Sequence, residues 1–126
     1  MKSQAGIEFL VYSSLLILIL IIFLLSSSSK QQELIILKID NEMKDIASDI
    51  AFEINEAVRA GDGYERRFNL NKYDIKNFEI IIEDSTLIVK KGERRAYANI
   101  ITSNIIGNFT GNWNRINNTR GIIYVN

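Results

Sequence analysis

Residues 9–25 read FLVYSSLLILILIIFLL. The run carries no charge, and only Tyr12, Ser13 and Ser14 interrupt its apolar side chains. As a helix, these 17 residues rise about 26 Å, close to the roughly 30 Å hydrocarbon core of a bilayer. Extending the helix back through Ala5, Gly6 and Ile7 closes the gap and takes in Glu8. The run is longer than the roughly 7–15-residue apolar core of a cleaved secretory signal. A membrane-spanning helix over about residues 7–25 is therefore expected. Lys2 precedes it and Lys30 follows it, which favours a cytoplasmic N-terminus and an external C-terminus.

Beyond residue 25 the sequence has a sign pattern. Gln31 to Val58 holds seven acids and two bases, net −5, whereas Arg59 to Asn126 holds eleven bases and seven acids, net +4. The zero net charge of the 126-residue chain is thus a cancellation between segments. The chain has no Cys, which excludes disulfide frameworks, thiolate metal sites and Cys nucleophiles. It has no His, the commonest metal ligand and general base. No carboxylate cluster has calcium-loop spacing, and the glycines form no phosphate loop. An enzyme is not expected, and neither is a cofactor.

The acidic segment has helical periodicity. Ile36, Ile39, Met43, Ile46, Ala47, Ile50, Ile54 and Ala57 recur at spacings of three and four, giving one apolar stripe with the acids on the other face. Gly61 and Gly63 signal its end. No proline occurs, so one helix should run from about Ala5 to about Ala60, a rod of about 80 Å. Ser26–Ser29 would be its soft point. The stretch Leu34–Leu37 (LIIL) is apolar on all sides. It suits burial among neighbouring helices or under the chain's own β-domain.

After Gly63 the period changes to two. Phe68 and Leu70 alternate with Arg67 and Asn69, and Phe78, Ile80 and Ile82 alternate with Glu79, Ile81 and Glu83. A turn at Asp84-Ser85 leads into TLIVKK, and Gly92-Glu93 leads into RRAYANII. IIGNFT, a stretch around Trp113 and GIIYV at 121–125 complete the set. These read as short antiparallel strands. A single small sheet must bury one face, and the helix stripe is the obvious cover. The expected class is α+β: a long N-terminal helix, half membrane and half amphipathic, packed on a small antiparallel β-sheet domain.

The N-terminus, MKSQAGIEFLVYSSLLILILIIF, resembles the class III signal peptide of archaeal type IV pilin-like proteins. That pattern is a short basic leader, a Gln at the cut, a Glu at the fifth mature position and an apolar helix. Met1-Lys2-Ser3, Gln4 and Glu8 match it at the right spacing. The residue before the cut, Ser3, and two others, Gly6 and Tyr12, differ from the residues usual in the family. The bacterial pilin pattern, in which the cut follows a Gly and Glu comes five residues later, fits poorly, because Gly6 lies only two residues before Glu8. The resemblance implies a leader at 1–3 removed by a membrane prepilin peptidase between Ser3 and Gln4. It implies a helix over 4–60 and a small domain over 61–126, type IV pilin-like. Glu8 would pair with a neighbour's new N-terminal amine, and Phe9, Leu10, Leu15 and Leu16 would serve assembly. A pilus assembly ATPase and a membrane platform protein are the further partners implied. The precursor would sit in lipid and the product in a homo-oligomeric surface filament that serves adhesion.

Other signals are weaker. Asn108-Phe109-Thr110 and Asn117-Asn118-Thr119 are N-glycosylation sequons, making Asn108 and Asn117 candidate acceptors. Arg66-Arg67, Lys90-Lys91 and Arg94-Arg95 are basic doublets, with Tyr97 and Trp113 as aromatics. Interleaved acids make a solvated sheet face, or contacts to acidic helices of neighbours, the better reading than a nucleic-acid face. The opposite signs of helix and domain suggest attraction between subunits. The alternative to a filament subunit is a monomeric, single-pass membrane protein that displays a small extracellular binding domain.

Overall fold

A computed structural model describes all residues from Met1 to Asn126. Lys2–Ala60 forms one 59-residue helix, α1. Between Gly6 and Gly61 no glycine or proline interrupts it. The serine run stays helical, with the hydroxyls of Ser28 and Ser29 donating back to the carbonyls of Leu25 and Ser26 at 3.1 and 2.9 Å. Gly61, at φ 83°, takes the left-handed conformation that ends a helix without a Cβ penalty.

The chain divides into two units, residues 1–38 and residues 39–126, and α1 runs through both. The first unit is helix alone. In the second, the strands are β1 (Glu65–Asn69), β2 (Glu79–Glu83), β3 (Thr86–Lys91), β4 (Arg94–Asn99), β5 (Ile105–Gly107), β6 (Trp113–Thr119) and β7 (Ile122–Val125). A short 3₁₀ turn, Ile75–Asn77, lies between β1 and β2. Each strand falls on one of the runs read as extended, and burial alternates residue by residue in β6 and β7. The Asp84-Ser85 turn closes the β2–β3 hairpin, with φ of 43° and 64° at its two central residues. Positive φ at both is what a two-residue hairpin needs to match strand twist.

The α+β class, with a long N-terminal helix packed on a small antiparallel β-domain, is the architecture observed. It differs in one respect from a single sheet. The strands form two sheets, ordered β1-β6-β7-β5 and β2-β3-β4, and β5 runs parallel to β7. Short links force antiparallel pairing only between consecutive strands, and β6 separates β5 from β7. The parallel pair depends on Gly107, where an added Cβ would lie 1.9 Å from the carbonyl oxygen of Val125.

One core joins the layers of the second unit. Met43, Ile46, Ala47, Ile50, Ala51, Ile54 and Ala57 of α1 meet Phe68, Leu70, Ile75, Phe78, Leu87, Val89, Ala96, Ile116, Ile123 and Val125. These helix positions are the expected stripe, with Ala51 added. Ile39 is half-buried, and Ile36, at 39% exposed, lies outside it. The acids do not all face solvent as expected. Glu53 is only 8% exposed. At position 53 a carboxylate is drawn inward by Arg66 of β1, whose guanidinium lies 3.5 Å away.

Candidate functional site

The first unit carries the residues that the N-terminal resemblance assigns to processing and assembly. Gln4 and Glu8 stand one helical turn apart, so they share a face of α1. Glu8 is exposed and makes no ion pair within 4 Å. Ser3 and Gln4 lie in the first turn, where the backbone bond from the amide of Ala5 to the carbonyl of Met1 is 3.3 Å. End turns of helices fray readily.

From Phe9 to Leu25 every apolar side chain is bare, including Phe9, Leu10, Leu15 and Leu16, and Phe9 is 72% exposed. This is a helix long and apolar enough to cross a membrane. Its two interior serines need no water. The hydroxyl of Ser13 donates to the carbonyl of Phe9, and that of Ser14 to Val11 at 2.8 Å. A hydroxyl satisfied within its own helix is tolerable in hydrocarbon, where an unpaired one costs several kcal/mol. Further along, Leu34, Ile35 and Leu37 are each at least half exposed. The folded chain leaves them uncovered.

In the second unit the helix acids are largely committed to the chain's own bases. Arg94 donates to both carboxylate oxygens of Asp40 at 2.7 Å. Lys72 lies 2.6 Å from Asp49, and the hydroxyl of Tyr73 donates to the same oxygen at 2.7 Å. Glu56 pairs with Arg59 one turn on. Burial pushes the Asp49 carboxyl up, but the hydrogen bonds from Lys72 and Tyr73 more than offset this, and its pKa lies below the usual value. Glu53 goes the other way. Burial holds its pKa above the ordinary value, Arg66 opposing and Asp49 and Glu56 adding to the rise. One of its oxygens has no hydrogen-bond partner.

This pairing takes up part of the charge expected to draw subunits together. Four of the seven acids in Gln31–Val58 are paired within the chain, which leaves Glu33, Glu42 and Asp45 without an ion pair, along with Arg67, Lys76, Lys90, Lys91, Arg95 and Arg120 of the segment after them. The basic doublets are split by strand alternation. Arg66 reaches Glu53 while Arg67 points outward, and Arg94 reaches Asp40 while Arg95 is exposed. Lys91 sits over the Phe78 ring at 4.9 Å. Tyr97 and Trp113, both exposed, belong to different sheets.

The sequons differ in setting. Asn108 is exposed in the loop after β5. Asn117 is half-buried within β6, and its side-chain oxygen is enclosed without a partner.

Sequence periodicity did not single out two buried amides. The Asn118 side chain donates to the carbonyl of Ala57 at 2.9 Å and accepts from the amide of Gly121 at 3.0 Å, tying the helix end to the β6–β7 turn. Asn114 accepts from the amide of Thr110 and donates to the carbonyls of Thr110 and Asn112. Their one sequence signal is placement at inward positions of an alternating strand, beside Ile116. Comparison with protein-family models, with curated proteins and with solved structures gave no match to this chain.

Proposed function

We propose that the chain is a structural subunit of an archaeal type IV pilus-like surface filament, made as a membrane-anchored precursor. The observation that carries this reading is a helix bare of cover from Phe9 to Leu25, with Gln4 and Glu8 on one face just before it. Such a helix is stable in lipid, and it leaves lipid only if another apolar surroundings replaces it. A bundle of identical helices is that replacement. A prepilin peptidase would cut between Ser3 and Gln4. The new amine of Gln4 would pair with Glu8 of a neighbour, which offsets the cost of taking a carboxylate into an apolar bundle. Leu34–Leu37 would extend the bundle beyond the membrane. The pilus ATPase and platform protein would drive extraction, and the displayed domain would serve adhesion. The role is structural, with no catalysis and no cofactor.

A second reading is favoured by one observation. The unit 39–126 buries its own core and pairs most of its own helix acids, so it stands complete as a displayed domain. A monomeric single-pass anchor would need nothing more. Glu8→Ala separates the two. The filament reading expects normal membrane insertion and loss of assembly, and the monomeric reading expects surface display unchanged from wild type.

A further inference from the structure

The four-stranded sheet buries one face and leaves the other bare. Asn114, Ile116 and Asn118 of β6 and Ile123 and Val125 of β7 are buried, and Asn118 reaches the Ala57 carbonyl of α1. The alternate residues therefore lie on the side away from the helix. Trp113, 64% exposed, stands at one end of this outer face. Arg115 follows two residues on and lies directly opposite Arg67 of β1. Asn117, two further on, is paired with Tyr124 of β7, which is 37% exposed. The register thus sets two aromatic residues about 13 Å apart along the strands, with two arginines between them. The charged residues of this face are Glu65, Arg67 and Arg115. Like charges directly opposed on a sheet are destabilising. Glu65, 2.9 Å from Arg115, offsets part of this, and Arg67 makes no ion pair. Both arginines line one cavity of about 320 Å³ with Trp113, Asn114 and Asn126. Its floor is held firmly. The Asn126 side-chain oxygen accepts from the Arg115 amide at 3.3 Å, the Asn126 amide donates to the Arg115 carbonyl at 2.9 Å, and the Asn126 side chain donates to Asn114 Oδ1 at 3.0 Å.

We propose that this face binds an acidic polysaccharide, with a uronate between Arg67 and Arg115 and the sugar rings on either side of it lying on Trp113 and Tyr124. A guanidinium takes a carboxylate through two parallel N–H···O bonds. A carboxylate set between the two arginines removes the repulsion that Glu65 leaves. The C–H face of a sugar ring is weakly positive and suits the negative face of an aromatic ring. The span from Trp113 to Tyr124 is one that a trisaccharide covers. Charge separates this ligand from its rivals. A nucleic acid carries a phosphate at every step and draws its affinity from many cations. Here two bases stand against one acid, which suits a single anion among neutral ring faces. A neutral glycan would leave the opposed arginines unanswered. The site rests on the domain being displayed outside the cell, which the filament and the single-pass readings share. It names the chemistry that adhesion through this domain would grip.

Trp113 is the one tryptophan of the chain, so intrinsic tryptophan fluorescence reports this face alone. The full-length chain in detergent micelles is titrated with trigalacturonate, with maltotriose as the neutral control and an oligothymidylate as the nucleic-acid control. The expected result is a saturable blue shift with trigalacturonate that neither control matches at the same concentration. Arg67→Ala, at an exposed residue with no ion pair, should weaken binding about tenfold, the scale of one hydrogen bond to a charged group. Arg67→Lys should recover part of that loss. Tyr124→Ala should weaken trigalacturonate and leave monomeric galacturonate unchanged, with circular dichroism showing each variant folded. No shift with trigalacturonate overturns the site. So does an equal shift with maltotriose, a larger one with the oligothymidylate, or a shift produced by protein concentration alone, which would mark a contact between copies. Binding is read on the purified chain, so its failure leaves the filament reading standing. Filaments that lack the chain would sink the filament reading and leave the binding intact.

Discussion

The two halves of α1 have the same backbone and opposite fates. From residue 39 to residue 60 the apolar side chains form one stripe, and two small sheets cover it. From residue 9 to residue 25 they point in all directions, and nothing in the chain covers them. A stripe is a surface that one partner layer can bury. An all-round apolar helix needs an apolar environment on every side, which the chain itself does not supply. The domain half is thus solved within one chain, and the membrane half is solved only by an environment.

Truncation should break this symmetry most strongly. Ile50→Ala, in the covered half, is expected to lower the unfolding free energy of the domain by about 2–5 kcal/mol in denaturant titration. Ile19→Ala, in the bare half, should leave the same curve unmoved. A matching loss at both sites would mean that the bare half folds onto the domain. A charge should act in the reverse sense. Ile17→Arg is expected to make membrane insertion less favourable by about 2.5–3.5 kcal/mol, read as chain lost from the membrane fraction, with the domain's unfolding midpoint unchanged.

Smaller effects sharpen how the covered half is held. Asn118→Ala removes the tie to the Ala57 carbonyl and should cost the domain about 1–3 kcal/mol. Asp49→Asn should cost about 0.5–1 kcal/mol at neutral pH, a figure kept low because the pair with Lys72 is part-exposed. Its folded pKa is lowered, so this stabilisation is present above the ordinary carboxylate value and fades as pH falls through the folded value. The Asp49→Asn penalty should therefore shrink in acid, and a penalty constant with pH would contradict the assignment. Glu53 has the opposite sign. Its folded pKa is raised, so the native state holds the proton more tightly and wild-type stability falls as pH rises through the carboxylate range. Glu53→Gln should gain on wild type across that rise, by no more than about 1 kcal/mol, because Arg66 then loses its partner.

Much of this was legible in the sequence. Helix limits followed from the absence of Pro and from Gly61. The strands followed from short runs rich in Ile, Val, Tyr and Phe between Gly, Asn and Asp turns, and the Asp84-Ser85 turn from its position between two such runs. What local pattern cannot carry is pairing between distant elements. The division into two sheets depends on β1 pairing with β6 and not with the next strand, β2, a pairing that joins Asn69 to Trp113, 44 residues away. Glu53 reads as one more surface acid until Arg66 is known to face it. Segment charges suggested attraction between chains, because a sum over residues cannot tell an internal pair from a free charge. Asp40, Asp49 and Glu53 are paired within the chain, whereas Glu33, Glu42 and Asp45 are not. At the N-terminus, the Gln4 and Glu8 spacing is read from sequence alone, and the helix adds only that the two share a face.

The central claim is that this chain is processed and then built into a filament. Mass spectrometry of the chain from native cells, together with electron microscopy of shed filaments, tests it most directly. The account predicts a mature chain that begins at Gln4 and is recovered in the filaments. A chain that still carries Met1–Ser3, in cells whose filaments do not contain it, would contradict the account.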